Sequence, residues 1–246
     1  MQHLLRKQII TGALLLCISF VSMAQRGNVN QPFYDEDLFY LGFNVGINNN
    51  YYNFNRNVEF ASPAAGAVRS INPKNNISLT MGLAGTLRLS THTLLRLNPT
   101  VVIAGSKNLF TFTRIEYPNS NPTMNAATAL INIPLALKIV SDRYNAFHYT
   151  DIMRHYVFVG GKIDYELKGP DGSIVNSSEP IIENIFNSLD YGYEMGLGVS
   201  FYLPYATISP EVKFSYGVRN LNKGAPLLSS IRDITSNFVY FTIHVE

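Results

Sequence analysis

From Phe39 to the end of the chain, apolar and polar residues trade places at every second position, in one run after another. The first run is Phe39, Leu41, Phe43, Val45 and Ile47, with Tyr40, Gly42, Asn44 and Gly46 between them. The second is Ile77, Leu79, Met81, Leu83, Leu87 and Leu89, set against Ser78, Thr80, Gly82, Thr86 and Arg88. Further runs cover 95–103, 131–139, 157–167, 189–203, 208–218 and 239–245. Successive side chains of a strand point to opposite faces, so each run predicts a two-faced strand. Several of them reach the ~9–11 residues that a tilted membrane-crossing strand needs, well above the ~5–6 of an ordinary strand. Eight is also an even number, as single-chain bacterial outer-membrane barrels require.

The connections alternate as well. Long polar segments follow the odd runs: 48–76, 106–127, 168–188 and 220–236. Short turns follow the second and sixth runs, at Ser90-Thr91-His92 and Pro204-Tyr205, while 141–154 is of intermediate length. That is the pattern of long loops outside the cell, with turns and both termini in the periplasm. A break in the alternation near Phe110 and Phe112 points to a bulge or to a strand rising above the bilayer.

Alternation alone leaves open which face meets lipid, because a soluble lipocalin-like barrel also alternates, with its apolar face inside. Volume decides in favour of lipid. An eight-stranded barrel is just wide enough inside for side chains to fill it, and the large apolar residues of all eight runs would overcrowd it. The opposite face is rich in Gly, which suits a tightly curved interior. It also carries Arg88, Arg96, Lys138, Lys162, Lys213 and Arg219 together with Asp164, Glu166, Asp190, Glu194 and Glu211. Buried charges need partners, so these residues predict a closed ion-pair network in the lumen. An ion path or gate is the alternative reading. The expected fold is thus all-β: an eight-stranded antiparallel up-and-down transmembrane barrel of the outer-membrane type. Phe39, Tyr40, Tyr202, Tyr205, Phe238 and Tyr240, near the ends of runs, are candidates for interfacial aromatic girdles.

Residues 1–24 form a separate element. Arg6 and Lys7 precede an apolar run from Ile9 to Val21, and Ser22-Met23-Ala24 supplies a small-x-small cleavage signal. This is a secretory signal peptide, too short to span a membrane as an anchor. Leu16 before Cys17 argues against lipidation. Residues 25–37 then form an N-terminal periplasmic segment and 38–246 the barrel. Cleavage removes the lone cysteine, so the mature chain has no disulfide and no thiolate.

Composition agrees with this picture. Of 246 residues only 15% are charged, and mean hydropathy is near zero. A near-balance of 19 basic and 17 acidic residues argues against a nucleic-acid partner. No metal-binding or P-loop motif is present, and no histidine neighbours a nucleophilic serine. His92, His148, His155 and His244 fall near predicted turn ends. No catalytic residue, cofactor or metal is expected, and the chain reads as a non-enzyme.

Several segments, taken in order, resemble the PorT/SprT outer-membrane β-barrel proteins of Bacteroidetes. They are Phe39-Tyr-Leu-Gly-Phe-Asn-Val-Gly-Ile47, Leu83-Ala-Gly-Thr-Leu-Arg-Leu89, Leu95-Arg-Leu-Asn-Pro-Thr100 and Asn132-Ile-Pro-Leu-Ala-Leu-Lys138. Further on come Tyr144-Asn145, Gly160-Gly161, Gly196-Leu-Gly-Val-Ser-Phe-Tyr-Leu-Pro204 and Pro210-Glu-Val-Lys-Phe-Ser215. The resemblance implies an accessory of type IX protein secretion, in some members linked to gliding motility. Its partners would be outer-membrane lipid and other secretion-system envelope proteins, met through the segments 48–76 and 171–187. The chain departs from the usual aromatic last residue, ending Ile243-His-Val-Glu246. A small-solute transport barrel, a soluble periplasmic lipocalin-like binder and, more distantly, an envelope lipid-modifying enzyme are the rival readings.

Overall fold

The computed structural model describes residues 34–56, 70–73, 76–103, 107–113, 123–126, 129–144, 152–167, 174–175, 187–222 and 231–246. In chain order the strands are β1 (Phe39–Arg56), β2 (Ser70–Pro73), β3 (Asn76–Arg88), β4 (Thr93–Leu97), β5 (Thr100–Ile103), β6 (Lys107–Thr113) and β7 (Thr123–Ala126). They continue with β8 (Ala129–Val140), β9 (Met153–Leu167), β10 (Ile174–Val175), β11 (Leu189–Tyr202), β12 (Thr207–Gly217) and β13 (Ile231–Val245). No helix occurs among the described residues.

The main sheet closes on itself. β1 is hydrogen-bonded to β13 on one side and to β3 on the other, and β12, β11, β9 and β8 complete the ring. β4 and β5 share both neighbours, β3 and β8, in one continuous register. They act as a single barrel strand interrupted at Asn98-Pro99, where proline has no N–H to give the ladder. The ring therefore has eight strands, and closure leaves this sheet without edge strands.

The register fixes the tilt. A sideways walk from Asn49 crosses Val239, Phe214, Met195, Val159, Leu137, Leu95 and Leu87 and returns to β1 at Phe39, ten residues below its start. With a rise of ~3.3 Å per residue and strands ~4.8 Å apart, that stagger tilts the strands by roughly 40°.

The apolar faces of the alternating runs point away from the barrel. Leu83 is 63% exposed and Leu197 is 56% exposed, and the outward residues of β1, β3, β8, β9 and β11 form an apolar surface around the wall. On β1 this set spans about 20 Å of height and on β3 about 25 Å, close to the ~25 Å belt of an outer-membrane barrel. The inward positions are buried and largely polar.

Two strands run further than the alternation predicts. β1 continues to Arg56, so the connection expected from residue 48 is strand for nine more residues, and β13 begins at Ile231, not near Val239. The two extensions pair with each other, from Asn49↔Val239 to Asn55↔Asp233. Most of their outward residues (Asn49, Asn53 and Asn55; Asp233 and Thr235) are polar, while Tyr52, Ile234, Asn237, Phe238 and Tyr240 are buried. Above the lipid belt the outward face meets water, so the apolar-out pattern inverts and the stretch reads as loop. β9 likewise starts at Met153, inside the segment expected to be a turn.

Of the long segments, described portions form a second antiparallel sheet in the order β10-β7-β6-β2. The register between β6 and β7 shifts between Asn108 and Phe110, where the alternation breaks. Residues 1–24, most of 25–37 and nearly all of 171–187 lie outside the described residues.

Candidate functional site

Among the described residues, the lumen is where most of the buried charged side chains gather. Its two ends differ: short turns, the segment before β1 and Glu246 share one end (the turn end), and the long connections share the other (the loop end).

At the turn end the chain folds back across the opening. The Asp35 carboxylate meets Arg143 at 2.8 Å, Arg154 at 2.9 Å and Arg88 at 3.4 Å. The Tyr34 hydroxyl donates to Glu246 at 2.9 Å, and its ring packs 4.7 Å from Tyr40 and 5.5 Å from Tyr202. The Arg143 guanidinium lies 3.8 Å over the Tyr202 ring. Tyr34 sits outside the strands, and burial beside Glu246 raises its phenol well above the usual value of 10.

One layer higher, Glu211 Oε2 accepts from Arg96 at 2.7 Å and from the Tyr156 hydroxyl at 2.9 Å, with His244 Nε2 3.5 Å from Oε1. Arg96 lies 4.7 Å over the Phe158 ring, and Lys138 lies 3.8 Å over that of Tyr156. Two inward glycines of β11 make room for these rings: a Cβ on Gly196 would stand 2.5 Å from Phe158, and one on Gly198 would strike the Tyr156 hydroxyl.

Higher again, Lys213 bonds Glu194 at 3.1 Å and Asn132 at 3.3 Å. Asn132 donates to Asp164 at 2.6 Å, and Asp164 also takes Lys162 at 2.6 Å. This chain of contacts ties β11, β12, β8 and β9 together. At the loop end Tyr52 donates to Glu166 at 3.3 Å, and Ser236 donates to Asp190.

Of the residues singled out from the sequence, Arg96, Lys138, Lys162, Asp164, Asp190, Glu194, Glu211 and Lys213 are all buried inside the barrel. Glu166 is half-buried at the mouth. Arg88 ends β3 and joins the cap at Asp35, away from the lumen carboxylates. Arg219 lies past the end of β12 and donates to the Leu189 carbonyl instead. Sequence reading missed Asp35, Arg143 and Arg154. Only Arg154 left a signal, since it extends the inward parity of β9 by one step. His244 lies next to the end of β13 as expected, and its inward side chain is fully buried beside Glu211. Three of the girdle candidates, Tyr202, Phe238 and Tyr240, also face inward and are buried, whereas Phe39 and Tyr205 are exposed. Their places in the alternation put them on the inner face.

The lumen is therefore packed by ion pairs and aromatic rings, within a wall that is apolar outside. A family model described as outer membrane protein beta-barrel domain matches residues 23–223. The chain belongs to that family. It is an outer-membrane β-barrel protein, and its outward apolar belt is the surface that contacts membrane lipid. Among solved structures it is similar to Neisserial surface protein A, at 10% identity and a TM-score of 0.36 over 82% of this chain and 96% of that one. It is also similar to the outer membrane protein OprG from Pseudomonas aeruginosa, at 11% identity and a TM-score of 0.41 over 83% of this chain and 93% of that one. No curated protein matches.

Proposed function

We propose that this barrel is a non-enzymatic component of type IX protein secretion, tied to gliding motility in its host, that works through contacts at its two rims. The supporting observation is the filled lumen. Arg96 and Glu211 meet across the barrel, and Asp35 is clasped by three arginines over the turn end. A barrel so filled leaves its loops, turns and cap as working surfaces. The ordered resemblance to the PorT/SprT proteins suggests the pathway, the run of residues 1–24 reads as an export signal, and the alternation of long loops and short turns favours a turn end and both termini in the periplasm. Partners are then other envelope proteins of the secretion apparatus.

Deleting the gene is the test: secreted cargo should accumulate in the periplasm, and normal export would defeat the reading. The rival transport reading predicts steady conductance of the purified barrel in planar bilayers, where this reading predicts silence.

A further inference from the structure

At the loop end a recess of about 220 Å³, counting its open mouth, lies inside the barrel wall. Tyr52, Leu130, Asp164, Glu166, Asp190 and Phe238 contribute to its lining. Its enclosed part has room for roughly one water-sized group. Three carboxylates line it. Asp164 takes both Lys162 and Asn132. Glu166 accepts from Tyr52. Asp190 is only 5% exposed, its Oδ2 accepts from Ser236, and its Oδ1 has no hydrogen-bond partner. A buried carboxylate oxygen without a donor is costly, and a cation bearing N–H supplies both the missing donor and the opposite charge.

The rest of the lining narrows the class. Leu130 is apolar, and Tyr52 and Phe238 present rings, which attract cations through their faces. The Lys162 ammonium already stands 5.0 Å over the Phe238 ring. Among the described residues no group of three His, Cys, Asp or Glu side chains suits a metal ion. A primary ammonium is about the size of a water molecule, carries three donors and can trail its alkyl chain out through the open mouth. We propose that this recess binds the head group of a small primary alkylammonium, held by Asp190 and Glu166. The site stands independently of the secretion reading.

The test uses the full barrel, refolded in detergent micelles and checked for its heat-dependent gel mobility, titrated with n-butylammonium by calorimetry. Saturable binding is expected, weakened about tenfold or more in Asp190→Asn, as loss of a charge-assisted hydrogen bond requires. Glu166→Gln should weaken it in the same direction and decides the matter if the first variant does not fold. Asp142→Asn, an exposed carboxylate at the opposite end, should bind as the parent does. Tetramethylammonium, too large for the enclosed part, should bind more weakly. No saturable binding, unchanged binding in the recess variants, or equal displacement by potassium would each overturn the proposal.

Discussion

Arg96 Nη2 lies 2.7 Å from Glu211 Oε2, and the two side chains reach each other from strands on opposite sides of the ring. Both are at least 98% buried. Removing one partner of such a pair leaves an uncompensated charge, which costs about 3–5 kcal/mol. Glu211→Ala should lower unfolding stability by that order in urea titrations in micelles. Arg96→Met combined with Glu211→Leu should recover part of the loss, and strictly additive effects would show that the pair is not coupled.

The outward belt predicts a contrast with depth. Leu83, 63% exposed at mid-height, faces the bilayer, whereas Tyr205, 80% exposed, sits in the β11–β12 turn. Leu83→Arg should cost about 2–4 kcal/mol in lipid vesicles and Tyr205→Arg about 0–1. Equal costs would mean that the belt is not where lipid lies.

Two glycines on opposite faces of the wall should respond differently to a larger side chain. Gly198→Val drives methyl groups into the Tyr156 hydroxyl, and overpacking of this kind costs about 1–3 kcal/mol. At Gly161 the nearest atom to an added Cβ is the Gly192 carbonyl oxygen at 3.9 Å. Gly161→Val should therefore stay within about 0.5 kcal/mol of the parent. Unfolding midpoints of the two variants, measured side by side, decide it.

The cap makes a pH prediction. Burial first, and the Glu246 carboxylate next, raise the Tyr34 phenol above its usual value of 10. The folded state holds this proton more tightly than the unfolded chain does. Its stabilising contribution is fully present below pH 10 and is lost as pH rises through the raised value. Tyrosinate absorbance compared between the parent and Tyr34→Phe should show no ionisation of Tyr34 near pH 10. A difference signal centred there would place the ring in water instead.

Period-two alternation by itself located the eight wall strands where they cross the lipid belt, and their apolar face. Lipid imposes that pattern directly, because every outward side chain between the interfaces must be apolar. The same parity placed Arg96, Glu211 and Lys213 inside before any contact was known. Where lipid ends, the signal ends too: Asn48 and Asn50 look like loop residues, yet both are buried inward on β1. Pairing was beyond the sequence for another reason. Which carboxylate meets which cation depends on a ten-residue stagger closing around eight strands. That stagger brings Arg96 opposite Glu211, and the return of the chain before β1 sets Asp35 among Arg88, Arg143 and Arg154. Solvent wrote the strands into local sequence, while the contacts across the lumen exist only once the ring has closed.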